Sequence, residues 1–376
     1  MKAIVVGGGI VGARVAESLA ASGVKVTLLE ARYFTYGATG RSTGSVTVQQ
    51  RKPELVRLAL ETKERILAFK KKAAEMGIPF AERFMDDDSP HVAIALDEQE
   101  YGELKKLASL WREAGAEVEE LDPESVKEKY VPELNPSAFY KAFVTPGDYK
   151  FMPHPYTWAS IAAARMEGAE TYTYEEVVKA EVSSEGVRVL TASGKEFKAD
   201  KLVIAAGAAS PRIAALIGDT PGVEVKPMYA AGLVTEPFKY TMRPTIRVLS
   251  KAFRFLQTVR KEYVATIDNM GFENPELSTE DSLEFLVRAS KLVVRLLPVF
   301  AYVNILRSWG AFVDFTADGY PVVGWSTKYP DTVYHIYGFN DYGLSVGPTA
   351  AELAAKEILS GTREPLLEKF RPGRRA

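Results

Sequence analysis

Three glycines near the start of the chain have a spacing that suits the binding of a phosphate-containing dinucleotide. Gly7, Gly9 and Gly12 follow the pattern G-x-G-x-x-G, and the acid Glu30 stands further along. The first glycine permits a tight turn, the second lets a pyrophosphate approach the backbone, and the third allows a helix and a strand to pack closely. A carboxylate placed like that of Glu30 accepts hydrogen bonds from ribose hydroxyls. The pattern predicts a dinucleotide site without saying which dinucleotide, and the alternative is a glycine-rich turn in an ordinary β-α-β unit.

The elements that would position these residues follow one another in the required order. Residues 3–6, AIVV, form a short apolar run that is rich in β-branched residues, as in a strand buried on both faces. Residues 13–21 have helical spacing, and residues 24–29 form a second apolar strand that ends at Glu30. The helix N-terminus offers free N–H groups and a partial positive charge to phosphates.

Two further motifs lie in the middle and near the end of the chain. Residues 202–210, LVIAAGAAS, predict a buried strand that ends in small residues, so that its backbone could pass close to a ligand; an ordinary core strand is the alternative. Residues 333–361 predict a strand that runs into Gly338, then a polar loop, Gly343 and a helix. Because a dinucleotide has one pyrophosphate, which the first helix takes, this second helix N-terminus must face something else.

Composition excludes several classes of protein. The chain has 376 residues, 47% of them hydrophobic, which is enough for a large core and predicts two domains. Its formal net charge of −2 gives no indication of a nucleic-acid surface. No apolar stretch reaches the roughly 18 residues of a membrane span. The chain opens on a strand rather than on an export signal, so we expect a cytoplasmic protein.

Cysteine is absent, which excludes disulfides, thiolate metal sites and a flavin tethered through cysteine. The three histidines are far apart in the sequence, so we expect no metal site. Abundant lysine and glutamate together with the lack of cysteine are typical of a thermophilic source.

With these motifs in place, the sequence resembles the FAD-dependent amine oxidoreductases of the D-amino-acid oxidase family, which includes glycine oxidase, sarcosine oxidase and dye-linked proline dehydrogenases. The resemblance covers nearly the whole chain. Besides the first glycine motif, the resemblance rests on GATGRSTG at residues 37–44, VIAAGAAS at 203–210, the run from Trp309 to Gly324 and the loop GFNDYG.

The resemblance implies FAD as a non-covalently bound cofactor and assigns residues to it. The glycine motif and Glu30 would hold ADP, and the backbone of Val177 would line the adenine. Gly343 and Leu344 would offer N–H groups to the flavin N1–C2=O edge, because a helix N-terminus stabilises the negative charge of reduced flavin. The flavin would be bordered by a segment of four residues, Arg41, Ser42, Thr43 and Gly44, which is called the flavin segment below. The other implied contacts flank the motifs: Ile10, Val11, Ala31, Arg32, Thr39, Ala206, Gly207, Gly338, Tyr342 and Ser345.

The sequence departs from the family pattern at two places. The loop often contains Gly-His-Gly where this chain has Asp341, Tyr342 and Gly343, a change that we expect to affect packing more than charge. Members similar to glycine oxidase have a carboxylate-binding arginine four residues after the tryptophan, where this chain has Val313. Since valine cannot bind a carboxylate, this favours the sarcosine oxidase and proline dehydrogenase branch.

A substrate carboxylate would then need another cation, since arginine binds carboxylates in a bidentate manner. Arg254, in the strand-like segment KAFRFLQT, is the first candidate. Because side chains alternate along a strand, Arg254 projects into the cavity if Phe253 and Phe255 pack into the core. In the reverse register Arg254 is exposed and Gln257 takes its place. The remaining candidates are Arg307, Tyr229, Tyr263, Gln49 and Gln50.

The family reaction is hydride transfer from a substrate Cα–H to flavin N5, giving an imine. The sequence predicts an FAD-dependent amino-acid dehydrogenase, with a proline-like secondary amine as the best candidate. An oxidase of sarcosine or D-amino acids that uses oxygen, and a flavoprotein electron-relay subunit of a larger complex, stay open as alternatives. The electron acceptor (dye, quinone or oxygen) and the oligomeric state also stay open.

The predicted fold is α/β, or α+β overall, with a Rossmann-like FAD-binding domain interleaved with a β-rich substrate domain. The FAD-binding domain takes residues 1–80, 141–225 and 305–376. The substrate-binding domain takes residues 81–140 and 226–304. The division follows from FAD motifs at both ends and in the middle of the chain, with β-rich stretches between them.

Overall fold

A computed structural model describes residues 1–79, 81, 84 and 87–374. Residues 80 and 376, at which two of the predicted FAD-domain segments end, lie outside the described residues. The described helices are α1 (Ile10–Ala20), α2 (Pro53–Glu75), α3 (Glu98–Glu113), α4 (Pro123–Lys129), α5 (Pro153–Met166), α6 (Ser210–Leu216), α7 (Leu283–Leu296) and α8 (Gly343–Ser360). In this part of the chain, none of the helices has both the length and the apolar character needed to cross a bilayer.

The first of two large sheets has six strands: β1 (Lys2–Val6), β2 (Lys25–Leu29), β9 (Glu170–Tyr172), β13 (Lys201–Ile204), β19 (Val322–Trp325) and β20 (Val333–Tyr337). Their spatial order is β19-β20-β13-β1-β2-β9. All neighbours are parallel except β19, which is antiparallel to β20. Helices α5 and α8 pack against α1 over this sheet. The apolar run of β1 is buried because strands flank it on both sides and helices cover it.

The second large sheet has eight strands: β5 (His91–Ala95), β6 (Glu119–Leu121), β7 (Lys141–Thr145), β14 (Val225–Thr235), β15 (Thr245–Val248), β16 (Phe253–Gln257), β17 (Tyr263–Ile267) and β18 (Ile305–Thr316). Their order is β18-β14-β17-β16-β15-β5-β7-β6. Every pair is antiparallel except β15 with β5. The α/β class with a parallel sheet and a separate antiparallel sheet is therefore as predicted.

Two small sheets complete the fold. One is formed by β10 (Val177–Ser183), β11 (Gly186–Thr191) and β12 (Glu196–Ala199). The other joins β3 (Ser45–Val46) and β4 (Asp87–Asp88) to the central β8 (Tyr149–Lys150). Strand β3 directly follows the predicted flavin segment, residues 41–44. This small sheet therefore joins that segment to β8, which precedes α5.

Two predicted domain boundaries divide strands that pair with each other. β7 and β18 begin at residues 141 and 305, where the prediction starts FAD-domain segments, but both belong to the eight-stranded sheet. β18 pairs with β14 over almost its whole length. The long apolar strand β18 carries the tryptophan motif, and sequence alone does not reveal which sheet it joins. The division into two domains stays a prediction.

The last helix begins earlier than its sequence indicates. In the sequence, Pro348 predicts a helix that starts near residue 347 and runs to about residue 360, because proline is favoured in the first turn of a helix. In the structure α8 begins at Gly343, and Pro348 lies inside it. The helix N-terminus therefore falls within the polar loop motif itself.

Candidate active site

The glycine loop has the geometry that a pyrophosphate requires. Gly7 has a φ of +116°, and a Cβ on it would lie 2.3 Å from the carbonyl oxygen of Ala205, at the end of β13. A Cβ on Gly12 would lie 2.0 Å from the oxygen of Gly7. By contrast, a Cβ on Gly9 would meet only the hydroxyl of Thr39, at 3.1 Å. Gly7 and Gly12 thus serve close packing, and Gly9 borders open space in which a phosphate can reach the backbone.

The start of α1 faces that space. The N-cap residue, Gly9, has no side chain that could cap the helix. The hydroxyl of Thr39 instead accepts a hydrogen bond from the backbone N–H of Ile10 at 3.0 Å. Val11 follows in the first turn. The remaining N–H groups and the helix dipole favour an anion here.

Glu30 lies at the end of β2 and is anchored by backbone donors. Its Oε2 accepts from the N–H of Gly8 at 2.7 Å and its Oε1 from the N–H of Arg32 at 2.9 Å. Burial raises the pKa of Glu30, although these hydrogen bonds oppose the rise. Each carboxylate oxygen keeps a further lone pair for a ribose hydroxyl. Ala31 follows directly, and the N–H of Glu175, two residues before Val177, donates to the backbone oxygen of Glu30.

The predicted flavin segment, residues 41–44, contains hydroxyls that lack partners. Thr43 Oγ1 and, just beyond the segment, Ser45 Oγ are buried without a hydrogen bond to any described residue. Buried polar atoms normally have partners, so these two indicate a polar ligand. The backbone oxygen of Arg41 accepts from the indole N–H of Trp309 at 3.2 Å, which joins this segment to the tryptophan motif. Ser42 and Gly44 complete the segment.

The C-terminal motif reaches the same region. Gly338, with a φ of +77°, and Gly207, with a φ of +53°, follow the ends of the neighbouring strands β20 and β13, by one and three residues. Ala206 precedes Gly207. The side-chain oxygen of Ser345, in the first turn of α8, accepts from the N–H of Thr47 at 3.0 Å. The first turn of α8, including Gly343 and Leu344, therefore lies against the chain that leaves the flavin segment.

These observations fit a bound dinucleotide with a polar ring system. The glycine loop leaves room at Gly9, two helix N-termini lie near the motifs, and orphaned hydroxyls occur in the segment between them. The donor set is typical of phosphate, ribose and flavin recognition. In the part of the chain that the structure describes, no group of three or more histidines and carboxylates could hold a metal ion.

A cavity of about 130 Å³ lies beside the start of α8. It is bordered by the chain that follows the flavin segment, by the central strands of the eight-stranded sheet and by the polar loop. Its lining residues are Gln49, Gln50, Arg51, Arg247, Leu249, Ala252, Phe253, Arg254, Asp268, Asn269, Phe315, Asp341 and Tyr342.

Arg254 lines this cavity in the register that the sequence favours. Phe253 and Phe255 are each 1% exposed and belong to the core under the sheet. Gln257 does not line the cavity; its side chain bonds to the backbone of Tyr240 and Met242. The reverse register is thereby excluded.

The guanidinium of Arg254 already has two carboxylate neighbours. Its Nη2 donates to the backbone oxygen of Asp341 at 2.7 Å and to Oδ2 of the same residue at 3.2 Å. Its Nε lies 3.3 Å from Oδ2 of Asp268. Arg254 is therefore oriented by acids before any ligand arrives.

A second arginine of the cavity, Arg247, is absent from the predicted set. It lies directly opposite Arg254 in the pairing of β15 with β16. Its Nη1 donates to the backbone oxygen of Gln49 at 3.2 Å, and its distance to Oδ2 of Asp341 is 4.0 Å. Burial, with the charge of Arg254 second, lowers the pKa of Arg247 to about 9. The sequence signal was a single charged residue in the apolar run TIRVL.

The other predicted substrate residues are distributed unevenly. Gln50 lines the cavity, with its amide donating to the backbone oxygen of Thr47. Tyr229 is buried on β14, and its hydroxyl donates to the backbone oxygen of Glu280. Tyr229 does not line the cavity.

Two of the predicted substrate residues, Tyr263 and Arg307, lie away from this cavity. Tyr263 lies in the core of the eight-stranded sheet, packed on Phe255 and Phe300, with its hydroxyl bonded to the backbone of Tyr240. Its strand turns this side chain to the face opposite the cavity. Arg307 is exposed, and its guanidinium lies over the ring of Trp309. It precedes the buried part of β18 and so stays at the surface.

Comparison with known proteins agrees with these features. A family model described as FAD dependent oxidoreductase matches residues 2–357. The chain is 25% identical over 326 residues to the glycine oxidase of Geobacillus kaustophilus, with 85% of this chain and 83% of that protein covered. It is 23% identical to one of the subunits of the opine oxidase of Rhizobium meliloti, with 97% and 95% covered.

Solved structures show the same fold. The L-proline dehydrogenase from P. horikoshii superposes with a TM-score of 0.87 at 25% identity and covers 97% of this chain and 95% of its own. The crystal structure of the glycine oxidase from Geobacillus kaustophilus has a TM-score of 0.88 at 21% identity, with 100% and 98% covered.

Proposed function

Since the chain belongs to the D-amino-acid oxidase family of FAD-dependent oxidoreductases and oxidises amine or amino-acid CH–NH or CH–NH2 donors, we propose that it is a dehydrogenase for a small amino acid with a secondary amine, with proline as the first candidate. The observation that carries this proposal is the cavity next to α8, in which two buried arginines could hold a carboxylate. The absence of an arginine at Val313 and the likeness to an L-proline dehydrogenase support the same choice.

We assign the predicted cofactor residues to FAD as part of this proposal. The glycine loop and the start of α1 would hold the pyrophosphate, and Glu30 the adenosine ribose. Thr43 and Ser45 would bond to the flavin, with the first turn of α8 near its pyrimidine edge. FAD supplies one chemical property, the acceptance of a hydride from the substrate Cα–H.

The residues of the chain bind and orient the substrate. Arg254 and Arg247 would bind the carboxylate, because two guanidinium groups on adjacent strands present several donors to one side of the cavity. Asp341 and Asp268 hold Arg254 in place. A cavity of about 130 Å³ favours a small amino acid. Fixing the carboxylate would direct the Cα–H toward the cofactor.

A panel of substrates tests the proposal. Purified holoenzyme would be mixed with an artificial dye and, separately, with proline, glycine, sarcosine, N-methyl amines and the D- and L-forms of other amino acids. We expect the fastest dye reduction with a cyclic or N-substituted amino acid. Flavin reduction only by primary amines, or only by amines without a carboxylate, would contradict the proposal.

The same samples distinguish a dehydrogenase from an oxidase. We expect slow oxygen consumption compared with dye reduction when the best substrate is present. Oxygen consumption that matches dye reduction would instead identify an oxidase, as in the glycine oxidases to which the chain is similar.

A component of a larger complex is the second candidate. Two relatives that span nearly the whole chain are each named as one subunit of an opine oxidase, in Rhizobium meliloti and in Agrobacterium tumefaciens. If this candidate holds, the chain purified from its native source carries a partner chain, and the partner accelerates electron transfer to the dye. Full dye reduction by the chain alone would argue against it.

A further inference from the structure

Asp268 lines the cavity and has one carboxylate oxygen without a hydrogen-bond partner among the described residues. This residue directly follows β17, and its side chain is 17% exposed. Its Oδ2 is buried and makes no hydrogen bond with any residue in the described ranges, although Arg254 Nε lies 3.3 Å away. Arg254 Nε likewise lacks a hydrogen-bond partner there. The two groups attract each other without hydrogen-bond geometry, so Oδ2 keeps a lone pair for a donor that enters the cavity.

The charges that face Asp268 come from four segments. Arg254 is on β16, Arg247 on β15, Asp341 in the loop before α8, and Arg51 in the chain that follows the flavin segment. Asp341 is engaged by Arg254 through Oδ2. Arg247 has its nearest described carboxylate 4.0 Å away. At the cavity, Arg247 thus lacks a carboxylate closer than 4.0 Å, and Oδ2 of Asp268 lacks a hydrogen-bond donor among the described residues.

This pair is complementary to the two charged ends of an amino acid. At neutral pH such a substrate carries a carboxylate and an ammonium group on the same carbon. The carboxylate suits Arg247 together with Arg254, and the ammonium suits the free oxygen of Asp268. Oxidation at Cα, however, requires the neutral amine, whose lone pair forms the C=N bond. A substrate bound as the zwitterion must therefore lose one proton inside the cavity.

We propose that Asp268 binds the substrate ammonium through Oδ2 and accepts its proton. One N–H bond breaks and one O–H bond forms on Oδ2, so that the carboxylate becomes a neutral acid and the amine becomes neutral. The amine lone pair can then form the C=N bond as the Cα–H leaves with both electrons to the oxidised FAD. The inference rests on the proposed function and adds a catalytic residue to it.

The surroundings of Asp268 make this transfer feasible. Burial raises the pKa of the Asp268 carboxyl, which Arg254 opposes. A positive charge such as that of Arg247 near the substrate lowers the pKa of its amine. Both effects bring donor and acceptor closer together in pKa, as proton transfer requires. When Asp268 is protonated, Arg254 keeps its bonds to Asp341.

Asp268→Asn tests the inference in the holoenzyme. We expect unchanged flavin content, but flavin reduction by the best amino acid at pH 7 should slow by about a hundredfold or more. Because asparagine cannot accept the proton, only substrate that is already neutral in solution reacts. The rate should therefore rise by about tenfold per pH unit toward the pKa of the free amine, while the wild-type rate changes far less.

A ligand without an amine separates proton transfer from a structural role. For proline the probe is tetrahydrofuran-2-carboxylate, in which oxygen replaces the ring N–H, and its binding is followed by the change in flavin absorbance. We expect wild type and Asp268→Asn to bind this probe with similar affinity. The matched variant Asp341→Asn should keep the wild-type dependence of rate on pH, whatever its absolute rate.

Three results would overturn the inference. One is a pH profile of Asp268→Asn that parallels the wild-type profile. Another is an equal loss of affinity for the amine-free probe, which would mean that Asp268 only positions Arg254. The third is a wild-type flavin that no amino acid reduces, and this result alone would also remove the proposed function.

Discussion

At the scale of single residues, Arg254 is the arginine of the cavity that contacts two carboxylates. It contacts the carboxylates of Asp268 and Asp341 and lies opposite Arg247 across two paired strands. Such a guanidinium is already oriented, so it loses little conformational freedom when it binds a ligand. Arg254 is therefore suited to position a carboxylate.

We predict that Arg254→Met raises the KM for the best amino acid strongly and leaves FAD bound. A charge-assisted contact contributes about 1.5–3 kcal/mol, so kcat/KM should fall roughly ten- to a hundredfold. Steady-state dye reduction together with the absorbance ratio of flavin to protein measures both effects.

Arg307→Met is the control for this variant. Arg307 is exposed at the start of β18 and contacts the face of Trp309. We expect its kcat/KM to stay within about twofold of wild type, as for most surface substitutions. If Arg307→Met shows the large loss and Arg254→Met does not, the carboxylate is held elsewhere.

The contrast between Arg254 and Arg247 indicates what sequence can predict about a site. Alternation along one strand is a local pattern, and it was enough to favour the side of β16 on which Arg254 lines the cavity. Arg247 became visible only through the pairing of β15 with β16, which depends on residues distant in sequence. The positions of Tyr263 and Arg307 away from this cavity were not visible in the sequence either, since the side of a strand that faces a cavity depends on how the sheet packs.

At the scale of elements, the unit β1–α1–β2 is the part of the fold that follows most directly from residues adjacent in the sequence. Gly7 and Gly12 bring strand and helix together, and Glu30 at the end of β2 bonds back to the loop at Gly8. Its order and glycine roles could be predicted because each follows from the geometry of adjacent residues. The sheet to which β7 and β18 belong could not be predicted, because the strands that pair with them are far away in the sequence.

We predict that Glu30→Ala weakens FAD retention roughly tenfold or more. The change removes the ribose acceptor and the two bonds that fix the loop, and a charge-assisted pair contributes about 1.5–3 kcal/mol. Flavin content after extensive dialysis measures the loss. Glu170→Ala is the control, because this exposed acid on β9 bonds only to Tyr172 in the described structure.

At the scale of the whole molecule, residues from both ends and the middle of the chain converge on the cofactor region. Strand β1 lies between β2 and β13, and β13 lies beside β20, which leads toward α8. The sequence indicated this convergence because all three motifs were expected to contact one ligand.

We predict that FAD is released from the protein by acid or heat precipitation. The chain contains no cysteine for a thioether link, and the glycine loop and helix termini can hold the cofactor by hydrogen bonds and charge alone. A yellow supernatant with the mass of FAD is the expected result. Flavin that stays in the pellet, or a different nucleotide in solution, would contradict the prediction.

The strand order of the six-stranded sheet has a consequence for biosynthesis. β1 and the glycine loop leave the ribosome well before their neighbour β13, which ends at Ile204, and before α8, which begins only at Gly343. Domains tend to fold during synthesis from the N-terminal side, but this site cannot close in that way. If the first turn of α8 contacts FAD as proposed, the nascent chain cannot complete the cofactor site before residue 343 has been translated and has emerged. Capture of the cofactor would then come late in synthesis, and a message truncated before that codon would encode a chain without a complete site.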